Sequence, residues 1–217
     1  GSGEGRGGGL FLGEAGLTLD DNLIRGNRAD AGGGAYVTWG ANAIIRDNQI
    51  LSNSTDRSFG GGISVRGEGT RAAIQDCLVA GNQTLESGGA GIVFDDYSSG
   101  ESVGNTVVSN TSPAGRYGGG GIQVSNHASA DIRSNFVAHN EADAGAGVKV
   151  ADNSTAFIID NHIVSNTAAF GGGGIHVVTS AVTIAHNVVS RNVATGGAGL
   201  NLDGATGEVY ANTVASN

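Results

Sequence analysis

Two asparagines five residues apart recur along the whole chain, and no other feature restricts its fold so tightly. The first member falls at Asn22, Asn48, Asn105, Asn135, Asn161, Asn187 and Asn212, with Cys77 taking the place once. The second falls at Asn27, Asn53, Asn82, Asn110, Asn140, Asn166, Asn192 and Asn217, at successive spacings of 26, 29, 28, 30, 26, 26 and 25 residues. Fifteen asparagines in sixteen slots at that regularity identify a repeat, and a period of 20–50 residues identifies a stacked architecture.

Each repeat carries the same apolar marks. Between the two asparagines sits an apolar pair, such as Leu78-Val79 or Val188-Val189. An alternating segment precedes the first asparagine, as in Val182-Thr183-Ile184, and further upstream a glycine cluster leads into a second alternation, as in Gly120-Gly121-Ile122-Gln123-Val124. Alternation with period two, punctuated by glycine and asparagine, predicts three short strands per repeat. A unit this small cannot bury its own apolar face, whereas stacked units give every strand a partner above and below and merge the inward residues into one core. At about 4.8 Å per coil, eight coils form a column of roughly 38 Å.

The predicted core has three columns. The first strand contributes Ile63, Ile122, Val148, Ile175 and Leu200, and the second Leu19, Ile45, Ile74, Ile132, Ile158, Ile184 and Val209. The third contributes Ile24, Ile50, Val79, Val107, Val137, Ile163, Val189 and Val214. An inward-pointing asparagine has donors and an acceptor, so it can bond its counterpart in the next coil and the turn backbone, leaving no amide group orphaned. Asparagine also tolerates the left-handed backbone such turns need. Cys77 is expected to be a tolerated weak spot in one ladder.

This pattern resembles the right-handed parallel β-helix repeat of the pectate-lyase-like superfamily, in the glycine-rich form common in large bacterial secreted and surface proteins. The resemblance covers residues 8–217. It implies an all-β, right-handed parallel β-helix of about eight coils of 25–30 residues, forming one domain over 1–217. Because that superfamily includes lyases, glycosidases, adhesins and structural modules, the resemblance implies architecture and leaves activity open.

Composition removes several classes. The 40 glycines are far above the roughly 7% of an average protein, but one proline and no strict triplet exclude collagen. Disorder is excluded by 39% hydrophobic residues in regular groups. A net charge of −9 argues against nucleic acid, whose binding rests on clustered cations. No apolar run is long enough to enter a membrane, and a single cysteine leaves no disulfide framework or multi-cysteine zinc site.

A lyase of this fold would need an acidic cluster and a basic residue on an exposed strand face. The outward column of the first strand reads Phe11, Tyr36, Ser64, Val93, Gln123, Lys149, His176 and Asn201, without such a cluster. In the adjoining turn, Arg66 and the pair Asp95-Asp96 lie on neighbouring coils, where they could face each other, and these three are the catalytic candidates. Lys149 and His176 are also neighbours. The stacked aspartates Asp21, Asp47 and Asp76 repel one another and need nearby arginines, for which Arg25 and Arg46 are available, or a calcium ion. No other cofactor is expected. Sequons at Asn53, Asn82 and Asn110 coincide with ladder positions, leaving Asn153.

With no methionine, even at position 1, the chain is expected to be a processed form or a segment of something longer. Neither end has the polar cap with which solenoids finish. Ser216-Asn217 followed by residues 1–10 reads as a further repeat, so the alternatives are a window from a longer solenoid or a fibre subunit that associates end to end. The functional expectation is an extracellular or cell-surface structural or adhesive solenoid (a stalk, fibre or adhesin segment). The alternatives are a polysaccharide-active enzyme, lyase or glycosidase, working through Arg66, Asp95 and Asp96, or a carbohydrate-binding module using Tyr36 and Trp39 as stacking platforms.

Overall fold

The computed structural model describes residues 5–14, 16–112 and 118–217; the reading of residues 1–4 as the start of a turn lies outside them. The chain is a parallel β-solenoid of eight coils. Coil four, for example, contributes the strands Ile92–Asp95, Ser99–Val103, Thr106–Val108 and Thr111–Ser112. Three eight-stranded sheets run the length of the stack, each strand hydrogen-bonded to its counterparts one coil up and one coil down. No helix among the described residues is long and apolar enough to cross a membrane.

The three predicted core columns hold. Ile45, Ile50, Ile63, Ile74, Val79, Ile122, Ile132, Val148, Ile158, Ile163, Ile175 and Ile184 are fully buried, and β-branched residues suit the pleated surface each strand presents to the core. At the two ends of the stack the burial lapses: Leu19 in the first coil and Leu200 in the last are partly buried, and Val209 and Val214 in the last are half-exposed.

The ladders also hold, with every amide group engaged in the central coils. Asn82 accepts at Oδ1 from the backbone N–H and the side-chain Nδ2 of Asn53, at 3.0 and 3.1 Å. Its own Nδ2 donates to Asn110 Oδ1 at 3.0 Å and to the Ile50 carbonyl at 2.9 Å. The left-handed geometry, however, belongs to the residue before each asparagine. Asp21, Asp47, Asp76, Gly104, Ser134, Asp160, His186 and Ala211 precede the first ladder with φ of 51–68°. Gly26, Ser52, Gly81, Ser109, His139, Ser165, Arg191 and Ser216 precede the second at 52–66°. The chain turns at the preceding residue, so each asparagine can point inward from ordinary backbone.

Cys77 fits this frame. Its N–H donates to Asn105 Oδ1 at 2.9 Å, and its Sγ lies 3.4 Å from the Ile45 carbonyl, which an asparagine Nδ2 would meet. Cys77→Asn would also give Asn48 an oxygen to donate to. We expect that substitution to stabilise the protein by about 1 kcal/mol, the net value of a hydrogen bond, measured as a higher urea midpoint.

A fourth, six-stranded sheet was not expected from the repeat, which shows three strands. Its strands are mostly two residues long, too short to show alternation. Its inward column reads Ala29, Thr55, Thr84, Ser112, Ala142 and Ala168. The hydroxyls occur in the coils whose longer crossings supply most of the extra residues in the spacings of 29, 28 and 30. There Thr55 and Thr84 donate to the Ser58 and Ser87 carbonyls at 2.8 and 2.6 Å, and Ser112 donates to Ser87 at 2.9 Å. A longer crossing turns carbonyls inward, and the hydroxyls satisfy them.

Coil four departs from the core pattern in a compensated way. Where neighbouring coils place isoleucine in the second sheet, it places Ser102, and where they place alanine it places Gly100. In the facing column, where they place valine, it places Phe94. A Cβ built on Gly100 would stand 2.7 Å from Phe94 Cε1, so the phenyl ring occupies the room the two small residues leave.

Candidate functional site

The outward face of the first sheet was expected to be solvent-facing, and in its middle it is not. Tyr36, Ser64, Val93, Gln123 and Lys149 of that column are at most 3% exposed. The crossing before each first strand folds back over it: Gly145, at φ 67°, has its backbone so near the strand that a Cβ there would lie 2.7 Å from Lys149 Cβ. On the other side the turn after the strand rises as a second wall, with Trp39, Asp96, Asn126 and Asp152 at positive φ. The sheet face is therefore the floor of a trough.

The three catalytic candidates do meet. Arg66 and Asp95 are register partners on adjacent coils, and Arg66 Nε lies 3.4 Å from Asp95 Oδ2 and 3.5 Å from Asp96 Oδ2. Their exposures differ sharply. Asp95 is completely buried, whereas the Asp96 side chain is 48% exposed, so only Arg66 and Asp96 can touch a ligand. Asp95 Oδ1 accepts from Ser125 Oγ at 3.0 Å and Asn126 Nδ2 at 2.7 Å, and its Oδ2 has no hydrogen-bond partner beyond the ion pair. Burial pushes the Asp95 carboxyl above the usual carboxylate range, against the opposing pull of Arg66 and of the bonds from Asn126 and Ser125. It therefore meets Arg66 as the buried member of an ion pair.

The polar floor continues beyond the sequence candidates. Gln123 Nε2 donates to Ser125 Oγ at 3.0 Å, and Gln123 Oε1 accepts from the Gly119 N–H at 2.8 Å. Along the wall, the Tyr97 and His127 rings stack at 4.7 Å. Aligning Asp95-Asp96-Tyr97-Ser98 with Ser125-Asn126-His127-Ala128 would have revealed both features, because the two tetrapeptides occupy equivalent places in successive coils.

Of the proposed stacking platforms, one is available. Tyr36 is covered by Phe11, whose ring centroid lies 5.9 Å away, and by the Arg6 guanidinium at 5.9 Å. Trp39 is 58% exposed, and its ring meets that of Phe11 in a T-shaped contact with centroids 5.0 Å apart. It borders a hollow of about 340 Å³ with Thr38, Arg66, Glu68 and Asp96.

Asp21, Asp47 and Asp76 occupy the left-handed turn position before the first ladder and point to solvent. The nearby Arg46 is committed to Asp20, at 2.6 Å. Among the described residues no three His, Cys, Asp or Glu side chains converge where one metal ion could be held.

Stacked parallel coils, inward asparagine ladders and a trough along one sheet define a β-helix repeat protein. Residues 3–137, more than half of the chain, match the model of the right-handed β-helix region, and the chain belongs to that family. No curated protein matches it. No solved structure does either.

Proposed function

We propose that the chain is an extracellular or cell-surface β-solenoid of structural and adhesive type, which holds a carbohydrate chain at the trough beside Trp39. One observation carries this reading: an exposed Trp39 borders a hollow lined also by Arg66, Glu68 and Asp96. A sugar ring offers an apolar C–H face and a girdle of hydroxyls. The indole suits the first, while guanidinium and carboxylate groups suit the second. The rigid ladder-bound floor keeps these groups in place before the ligand arrives, which reduces the ordering cost of binding.

Titration calorimetry against a panel of neutral and uronic-acid oligosaccharides tests the proposal. At least one should bind, and Trp39→Ala should weaken it about tenfold, the equivalent of roughly 1.4 kcal/mol. Failure of every oligosaccharide to bind would overturn it. A second reading rests on the Arg66–Asp96 contact at the lip of the hollow, where a guanidinium and a carboxylate could serve polysaccharide cleavage. Incubation with uronic-acid polymers, with and without calcium, distinguishes the two. New reducing ends that vanish in Arg66→Ala would replace the adhesive reading with the catalytic one.

A further inference from the structure

The chain has eleven basic Lys and Arg side chains, and ten of them are arginine; the eleventh is Lys149. Unlike the exposed arginines, it is buried. It lies in the middle of the strand Val148–Val150 on the trough floor, 3% exposed, between Gln123 and His176 in register. Beside it opens the largest hollow among those described, about 670 Å³, with an exposed Phe170 ring, Ala144, Ala151 and Val178 on its apolar side. Asp152, Asp203 and Asn201 form its polar side. His176 also lines it, and its Nδ1 is buried without a hydrogen-bond partner.

A guanidinium would serve for a static charge at this point, and everywhere else the chain uses one. A primary amine differs from it in being able to lose its proton and attack carbon. Burial lowers the Lys149 amine to about 8, against the opposing pull of Asp152 and Asp143. His176 is held below its ordinary value by burial and by Lys149, with Asp203 opposing, so at neutral pH its imidazole is a neutral base beside the amine. Among the described residues, Asp143, Asp152, Asp203 and His176 are titratable groups that bear on this amine and its neighbouring imidazole.

We propose that Lys149 is a carbonyl-capturing nucleophile, and that the hollow beside it takes small aldehydes carrying an apolar or aromatic group. His176 accepts the ammonium proton. The freed nitrogen pair forms a bond to the carbonyl carbon as the C=O π pair moves to oxygen, and oxygen takes up a proton to give a carbinolamine. That hydroxyl leaves as water after protonation while the nitrogen pair closes the C=N bond. The sum is amine plus aldehyde giving imine plus water, with no oxidant or reductant required. The apolar wall disfavours return of water, and Asp152 and Asp143 favour the protonated imine.

Having a single lysine makes the test clean, because only Lys149 and the amino terminus can form a reducible imine. The intact protein is incubated with benzaldehyde and sodium cyanoborohydride between pH 6 and 9, and the benzyl adduct is located by peptide mass mapping. Modification of Lys149 at pH 7 should run at least tenfold faster than that of the lysine in an unstructured peptide. It should saturate with benzaldehyde and rise with pH about a midpoint near 8. Phe170→Ala, which alters only an exposed ring, should raise the half-saturating concentration several-fold. Lys149→Arg should leave the amino terminus as the sole adduct. A Lys149 rate no greater than the peptide's, a rate linear in benzaldehyde, or no adduct on Lys149 would each overturn the proposal.

Discussion

Asn110→Ala is expected to destabilise the solenoid by roughly 2–6 kcal/mol, read as a lower urea midpoint at an unchanged slope. Asn110 is fully buried, and its Oδ1 is the acceptor for both the backbone N–H and the Nδ2 of Asn82, each at 3.0 Å. Alanine removes that acceptor and leaves two buried donors without it, each costing about 1–3 kcal/mol. It also withdraws the donor that reaches the Val79 carbonyl at 3.0 Å and Asn140 Oδ1 at 3.0 Å. Aspartate would be no remedy, since its second oxygen would then face those two acceptors. Asn42→Ala, at an exposed strand residue, should stay within about 0.5 kcal/mol. A similar midpoint for the two alanine variants would refute the claim that the ladder, rather than asparagine content, stabilises the stack.

Phe94→Ala should cost about 3–5 kcal/mol, because a fully buried phenyl ring is removed from a core that cannot collapse around it. The sharper form of this prediction is an exchange. Neighbouring coils pair valine with isoleucine where coil four pairs Phe94 with Ser102: Val65 with Ile74 on one side and Val124 with Ile132 on the other. Phe94→Val alone should leave a cavity, and Ser102→Ile alone should overpack. Combined, they should lie closer to the parent than the sum of the single changes, by about 1–3 kcal/mol. Additive behaviour in a thermal or urea double-mutant cycle would show that the two positions do not share one space.

The same coil shows where sequence reading succeeds and where it stops. The ladders, the coil number and the inward columns were legible because each repeats in every coil and depends on local alternation. The Arg66–Asp95–Asp96 contact was legible for the same reason, since equivalent positions in adjacent coils must be neighbours. Ser102 was passed over because a polar residue breaks the apolar column, and nothing local announces that Phe94 fills the gap. The fourth sheet escaped notice because two-residue strands have no period, and its inward Thr55, Thr84 and Ser112 look like ordinary turn hydroxyls. Burial of the trough floor depends on crossings folding back over a sheet, a tertiary event that alternation alone does not encode. Tyr36 illustrates the consequence: its apparent availability ends once Phe11 and Arg6 lie over it.

The hydroxyl column of the fourth sheet has a practical implication for protein engineering. Crossing length varies along the solenoid while the other three sheets keep their register, and one inward side chain, alanine or a hydroxyl, varies with it. This corner therefore works as a modular graft point. A peptide spliced in after Ser58 or Ser87 leaves the Thr55 or Thr84 bond to that carbonyl in place, and lengthening a loop that is already closed adds only about 0.6 kcal/mol per doubling. Foreign loops displayed on successive crossings would stand one coil apart, about 4.8 Å, like teeth along the edge of a comb.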